Sequence, residues 1–354
     1  MDSKCEQARN SGGKARIIQT RARPAPTAGT IRVVLQILFI TFPFFALVLS
    51  GYIAARRGML PLAAIPGLNS FVLFFALPCL LYRFGASTPL AQLLDVGVFL
   101  TYLLCGLVVV GFTLAVSMNK RIGWNDASFG ALVAAFPNTG FMGVPLLVTL
   151  LGPQAAGPVI LTIAMDMVIT TSLCIALSRL DGADEHGASK AVKNALKGVA
   201  SNPMPWAILL GALASAVSLE LPAPVAKTVG LLADAASPVA LFTIGAVLAR
   251  SQMLMVTHGH APIPLGDYVP VAVIKLLLHP LLVLLVGSAA IQLGLPLDRF
   301  ALTVLVLLAA LPSASNVSLL AERFGADNGR IARIILVSTA AAFVTFSLAV
   351  SLMT

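Results

Sequence analysis

The stretch FPNTGFMGVP, residues 136–145, interrupts an otherwise apolar segment with two prolines, two glycines and an asparagine. Proline removes a helical hydrogen bond and clashes with the preceding turn at a cost of about 3 kcal/mol, and glycine weakens the helix further. A second interruption, LPSASN at residues 311–316, lies near the end of the chain. Both stretches therefore predict helices that are broken in the middle.

The chain around these breaks is too apolar to fold in water. Of its 354 residues, 58% are hydrophobic and 10% are charged, against roughly 25% charged residues in soluble domains, and the mean hydropathy is +0.95. A bilayer core about 30 Å thick requires about 20 apolar residues per helix. Ten segments come close to this length, and we number them 1 to 10 in chain order: 33–55, 66–82, 93–117, 127–151, 157–178, 204–218, 224–249, 268–293, 300–321 and 331–353. The predicted fold is an all-α polytopic membrane protein with ten transmembrane helices.

Positive charge is distributed unevenly between the segments, and short loops rich in Lys and Arg face the cytoplasm. One side carries twelve basic residues: Arg56, Arg57, Lys120, Arg121, Arg179, Lys190, Lys193, Lys197, Arg250, Arg323, Arg330 and Arg333. The other side carries Arg83, Lys227 and Arg299. We expect a multi-pass protein of the cell membrane, in a bacterium the inner membrane, with the basic loops in the cytoplasm. The net charge of +9 does not indicate nucleic-acid binding, because the cations are scattered.

Residues 1–32 contradict this topology, because it would place their seven basic residues outside the cell. They are rich in Ser, Gly, Pro and Arg, and we interpret them as a disordered basic tail outside the working fold. A secretory signal peptide is the alternative. The apolar run from Val33 is longer than the core of such a peptide, and it ends at Arg56 and Arg57.

Prolines and glycines recur in the same order in the two halves of the chain, and such internal symmetry locates the solute site in many transporters. The landmarks are Gly51, Pro61, Pro78 and Pro137 in the first half, and Gly211, Pro222, Pro238 and Pro312 in the second. The repeats predicted from them are residues 33–178 and 204–354, joined by a cytoplasmic linker at 179–203. Five helices in each half mean that the second repeat is inverted in the membrane.

Two facing breaks predict a cavity near the middle of the bilayer, because unwound backbone is tolerated there only inside protein or beside water. Helix N-termini at the breaks carry partial positive charge that suits a carboxylate. The candidate solute-binding residues are Pro137, Asn138, Thr139, Gly140, Pro312, Ser313, Ser315 and Asn316. Their polar, uncharged side chains fit a carboxylate better than a cation. The alternative is that each proline only marks a kink packed against a neighbouring helix.

Asp166, Lys275 and His279 lie inside segments 5 and 8, where an unpaired charge costs about 2.5 to 3.5 kcal/mol. Lys275 and His279 are four residues apart and share a helix face, and Asp166 is the expected partner of Lys275. This network either couples binding to movement or is a static ion pair that fixes the helix register, and both interpretations stay open. No cofactor or metal site is predicted, and coupling to protons or sodium stays open.

Four stretches carry a family resemblance: PNTGFMGVPLL at 137–147, GYIAARRGML at 51–60, FALPCLL at 75–81 and LPSASNVSLLAERFG at 311–325. From about residue 39 to 353 the sequence resembles the auxin efflux carrier family, bacterial relatives of the plant PIN transporters in the wider bile acid, auxin and arsenite transporter group. The resemblance implies that segments 4 and 9 cross at the solute site. It also implies a scaffold of segments 1, 2, 6 and 7 that can form a homodimer, and a moving transport domain of segments 3–5 and 8–10.

The resemblance further implies transport of a small organic anion, such as auxin in plants or a dicarboxylate such as malonate in bacteria. The loop after segment 5 is short, unlike that of many plant members, which argues against auxin. We therefore predict a secondary transporter of a carboxylate or dicarboxylate that works by alternating access. A channel would instead conduct without saturation. A membrane-embedded enzyme would need a catalytic motif, and no HExxH, DDxxD or GxSxG occurs in the sequence.

Overall fold

The computed structural model describes residues 28–87, 95–179, 203–257 and 263–354, and within these ranges the regular structure is helical. The α-helices, numbered α1 to α15, are Ala28–Arg56, Ile65–Phe71, Leu77–Ser87, Val96–Ser117, Trp124–Ala135, Val144–Leu151, Ala156–Met165, Thr171–Leu177, Pro203–Ala216, Ala223–Thr257, Val269–Val273, His279–Gln292, Arg299–Ala309, Val317–Arg323 and Asn328–Met353. Most of the predicted tail (1–27) and of the predicted linker (180–202) lies outside the described ranges. Helix α1 begins at Ala28, ahead of the predicted start of segment 1.

Six helical stretches of the described chain are long and apolar enough to cross a membrane: Leu62–Ser87, Val96–Ser117, Pro153–Leu177, Ala223–Arg250, Val269–Gln292 and Asn328–Met353. Shorter apolar helices coincide with the other predicted segments: Phe42–Arg56, Thr139–Leu151, Trp206–Ala216 and Arg299–Ala309. Large apolar side chains such as Leu213, Leu285 and Val344 are exposed on the outer faces, as expected where lipid replaces water. The chain is therefore a multi-pass membrane protein.

Aspartates begin three of these helices. The side chains of Asp95, Asp298 and Asp327 accept hydrogen bonds from amides near the starts of α4, α13 and α15 over 2.5 to 3.0 Å. The first amides of a helix have no partner within the helix, and an aspartate before the first turn supplies one. These caps fix where α4, α13 and α15 begin.

Glycines bring the backbones of α1 and α10 into direct contact. A Cβ atom added at Gly51 would lie 1.8 Å from the carbonyl oxygen of Phe242, and one added at Gly245 would lie 1.8 Å from that of Val48. Helices pack this closely in membranes when small residues face each other, since van der Waals contact replaces the hydrophobic effect there. Any side chain at either glycine would push the two helices apart.

The same device joins α3 to α9. A Cβ atom at Gly211 would lie 2.4 Å from the carbonyl oxygen of Tyr82, and one at Gly85 would lie 3.0 Å from that of Ile208. The two helix pairs thus use one glycine from each partner. Gly51 and Gly211, which head the two series of landmarks in the sequence, occupy equivalent contacts.

The two helices that precede the breaks lie in the core. Every residue from 127 to 135 of α5 is buried, and so is nearly all of α13 from Ala301 to Ala309. A helix that is apolar on all sides is expected to be surrounded by other helices. Because α5 and α13 end inside the protein, the breaks that follow them lie inside it as well.

Candidate functional site

The two sequence breaks meet in space. Helix α5 ends at Ala135 and α13 ends at Ala309, and the segments that follow form an isolated antiparallel bridge between Pro137 and Ser313. Proline cannot donate a backbone hydrogen bond, so the helices cannot continue through these points without losing one. The expected cavity between two facing breaks therefore has a definite structural centre, which we call the crossover.

Backbone hydrogen bonds hold the crossover together. The amide of Asn138 donates to the carbonyl oxygen of Pro312 at 2.8 Å, and the amide of Ala314 donates to that of Phe136 at 3.0 Å. Each broken helix thus satisfies polar groups of the other, as buried backbone requires. The geometry of the crossover is set by main-chain atoms.

After the first break the chain forms one π-helical turn, Thr139–Gly143, before α6. The carbonyl oxygen of Asn138 accepts hydrogen bonds from the amides of Met142 and Gly143 at 3.0 and 3.1 Å, and the amide of Thr139 donates to Pro137 at 2.7 Å. The amides of Gly140 and Phe141 take part in no hydrogen bond within the described residues, as expected for the first turn of a helix. π-Turns of this kind are frequent at functional sites.

Donors without partners remain at the second break. The backbone amides of Ser315 and Asn316 take part in no hydrogen bond within the described residues. The side-chain amides of Asn138 and Asn316 likewise have no partner there. Asn138 is only 4% exposed, and a buried amide without a partner costs stability unless a ligand or water satisfies it.

Asn138 and Asn316 face a common cleft, the first cleft. Its cavity volume is about 20 Å³, and its lining residues are Leu77, Phe136, Pro137, Asn138, Gly140, Phe141, Ile163, Met167, Ala314 and Asn316. None of them is charged, and the polar side chains among them are the two asparagine amides. Few polar groups in an apolar wall are typical of ligand sites, but this volume holds about one water molecule, so the cleft must widen to admit a carboxylate.

The predicted solute residues divide into three groups. Pro137, Asn138, Gly140 and Asn316 line the first cleft. Ser315 lines a neighbouring second cleft on the other side of Phe141. Thr139, Pro312 and Ser313 line neither cleft, and their contacts support the crossover.

Ser313 shows how that support works. Its side chain is fully buried and its hydroxyl has no hydrogen bond in the described structure. Its amide donates to the hydroxyl oxygen of Ser338 on α15 at 3.2 Å, and Ser338 donates in turn to Ile335 at 3.0 Å. Sequence reasoning missed Ser338, because a lone serine in an apolar helix carries no distinctive signal.

The carboxylate of Asp166 is buried and accepts hydrogen bonds from two hydroxyl groups. Tyr102 donates to one of its carboxylate oxygens at 2.7 Å, and Thr170 donates to the other at 3.1 Å. Asp166 begins a π-helical turn, Asp166–Thr170, within the stretch that joins α7 to α8. Tyr102 and Thr170 are further residues that the sequence did not single out.

Lys275 has different partners from the one predicted. Its ammonium group lies 3.2 Å from Nδ1 of His279 and donates to the carbonyl oxygen of Ala309 at 2.9 Å. No direct ion pair with Asp166 occurs among the described residues. Ala309 is the last residue of α13, where the helix dipole is negative and attracts a cation. Lys275 therefore stabilises the end of the helix at the second break.

Broken apolar helices that meet in the core, beside a cleft that two asparagine side chains line, are features of membrane transport proteins. The chain belongs to the family described as membrane transport protein, whose model matches residues 36–350. The resemblance to auxin efflux carriers, which are members of this family, is thereby confirmed.

Curated relatives cover most of the chain. A protein of Rhizobium meliloti (strain 1021) named "Putative malonate transporter" is 30% identical over 305 residues, which are 86% of this chain and 92% of the relative. The "Uncharacterized transporter YfdV" of Escherichia coli (strain K12) is 28% identical over 289 residues, 80% and 86% of the two chains. An "Uncharacterized transporter" of Methanothermobacter thermautotrophicus is 28% identical over 306 residues, 85% and 93% of the two chains.

Proposed function

We propose that the chain is a secondary transporter of a small organic anion, a carboxylate or dicarboxylate, and that it works by alternating access at the crossover. The observation that carries this proposal is the pairing of the two breaks beside the unpartnered side-chain amides of Asn138 and Asn316. The Rhizobium relative's name supports a malonate-like solute.

The chemistry of the first cleft favours an anion. Amide nitrogens donate hydrogen bonds to carboxylate oxygens, and bonds to a charged group are stronger than neutral ones. Asn316 also has a backbone amide without a hydrogen bond among the described residues, which adds a donor at a residue that lines this cleft. The cleft has no acidic side chain that could balance the charge of a cation.

We further propose ten transmembrane helices in two inverted five-helix repeats. The glycine contacts between α1 and α10 and between α3 and α9 support this arrangement, because an inversion that exchanges segments 1 and 6 and segments 2 and 7 exchanges the two contacts. In this proposal segments 1, 2, 6 and 7 form the scaffold, whose outer face pairs in a homodimer within the lipid bilayer. Segments 3–5 and 8–10 form the transport domain.

Our proposal places the basic loops in the cytoplasm of a bacterium, with the protein in the inner membrane. Contacts of Arg330 support one common side for several helix ends. Its guanidinium donates to the carbonyl oxygens of Asp126 at 2.8 Å and Asp267 at 2.7 Å, and Arg121 pairs with Asp267 at 3.0 Å. These residues lie near the starts of α5, α11 and α15.

Uptake into proteoliposomes tests the function. Saturable uptake should occur for members of a panel of mono- and dicarboxylates. Replacing Asn138 or Asn316 by alanine should raise the half-saturation concentration about 10- to 150-fold, the range expected for one hydrogen bond to a charged group. Thr228→Ala, at an exposed position that lines neither cleft, is the control. A preference for cations, or uptake that depends on neither asparagine, would contradict the proposal.

We also propose that Asp166, Lys275 and His279 couple solute binding to movement. Lys275 supports this role because it joins its own helix to the end of α13, so a change in its charge or contacts alters the second break. Replacing Lys275 by methionine should abolish the response of uptake to a proton or sodium gradient, whereas Lys227→Met, at an exposed lysine, should not. Unchanged gradient-driven uptake by the Lys275 variant would leave the network a static structural element.

A further inference from the structure

The crossover opens onto a second cleft as well as the first. The second cleft has a cavity volume of about 10 Å³, close to the space that one water molecule or one hydroxyl group needs, and its polar lining residues are Asn69 of α2, Thr243 of α10 and Ser315. Phe141 lines both clefts. Ser315 and Asn316 are neighbours in the chain, about 3.8 Å apart between Cα atoms, yet each faces a different cleft. The two clefts therefore adjoin at Phe141 and at the peptide that joins Ser315 to Asn316.

The polar side chains of the second cleft differ in whether they can donate a hydrogen bond to a ligand or only accept one. Thr243 is 3% exposed. Its hydroxyl donates its proton to the carbonyl oxygen of Val239 at 2.7 Å. It can therefore only accept a hydrogen bond from a ligand. The side chains of Asn69 and Ser315 have no hydrogen bond in the described part of the chain, so both can donate. No lining residue carries a charge.

We propose that the second cleft binds a hydroxyl group on the carbon chain of the solute, so that the preferred substrates are short hydroxycarboxylates. A hydroxyl can accept a hydrogen bond from Asn69 or Ser315 and donate one to the oxygen of Thr243, whose own proton is used by Val239. An ionised carboxylate has no proton to donate, so its oxygen would face the Thr243 oxygen without a hydrogen bond between them. The inference rests on the proposed function, since the carboxylate of the same solute occupies the first cleft.

Three solutes of equal chain length test the inference: propionate, 3-hydroxypropionate and malonate, measured by uptake or competition in proteoliposomes. The wild-type protein should prefer 3-hydroxypropionate to propionate. Thr243→Val keeps the shape and removes the hydroxyl, and it should raise the half-saturation concentration for 3-hydroxypropionate about three- to tenfold, as for one neutral hydrogen bond. Propionate and malonate should be unaffected.

Thr228→Val is the matched control. Thr228 lies on the same helix, donates to the carbonyl oxygen four residues earlier at 3.0 Å, as Thr243 does, and is exposed. Its replacement should change none of the three values. Thr243→Ser, which keeps the hydroxyl, should keep the preference and shows that a loss in the valine variant is not a folding defect.

The outcomes separate this inference from the proposed function. Three results would overturn the second cleft as a hydroxyl site. The half-saturation concentrations of all three solutes could change equally in Thr243→Val, or none of them could change. The wild-type protein could also show no preference for 3-hydroxypropionate over propionate. Asn138→Ala tests the first cleft, and it should raise the half-saturation concentration for all three solutes. If it raises the value for none of them, the proposed function itself fails.

Discussion

Replacing Ser338 by alanine tests whether a hydroxyl on a neighbouring helix holds the second break in place. Ser338 is fully buried, accepts the amide of Ser313 at 3.2 Å and donates to Ile335 at 3.0 Å. Alanine leaves the amide of Ser313 without a partner where water cannot replace it, and an unsatisfied buried donor costs about 1 to 3 kcal/mol. Ser313 lies opposite Pro137 in the crossover. If the whole cost falls on the solute-bound state, affinity decreases about 5- to 150-fold.

Ser347→Ala supplies the comparison for this measurement. Ser347 lies on the same helix, is 8% exposed and donates only to Phe343, four residues earlier, at 2.8 Å. Its removal breaks no hydrogen bond to another helix among the described residues. Half-saturation for uptake and thermal unfolding in detergent should be measured for both variants. The reasoning is refuted if Ser338→Ala leaves the affinity unchanged, or if Ser347→Ala lowers it equally. In either case the hydrogen bond between Ser338 and Ser313 would not stabilise the solute-binding form of the crossover.

Two packing predictions follow from the glycines. Gly245→Ala forces a methyl group against the carbonyl oxygen of Val48, and overpacking of this kind costs about 1 to 3 kcal/mol or more, so thermal unfolding in detergent should occur at a lower temperature. Gly111→Ala meets no atom within 4 Å and should unfold like the wild type; equal stability of both variants would contradict the close packing of α1 and α10. Gly130→Ala places a methyl group 2.8 Å from a guanidinium nitrogen of Arg330, so it should displace that group and lower the unfolding temperature less than Gly245→Ala does, because a side chain moves more easily than a backbone.

The sequence predicted the breaks correctly because proline acts locally. Pro137 and Pro312 lie just after the ends of α5 and α13, as expected. Pro238 lies inside α10, so a proline alone does not break a helix. The recurring landmarks also identified Gly51 and Gly211, whose packing depends on the absence of a side chain. These features are encoded in single residues and their neighbours.

The polar network could not be predicted in detail because it depends on how the helices are rotated and where they end. Charge balance alone favoured Asp166 as the partner of Lys275, but the end of α13 supplies a carbonyl oxygen at hydrogen-bonding distance. Tyr102 completes the surroundings of Asp166 from 64 positions away in the chain. Local spacing carries no information about such contacts.

The main-chain pairing of the two breaks has a consequence for divergence among related proteins. The hydrogen bonds from Asn138 to Pro312 and from Ala314 to Phe136 use no side-chain atom, so mutations that alter the side chains facing either cleft leave this junction intact. In the proposed transporter, single substitutions at the clefts can therefore change the preferred solute without altering this junction.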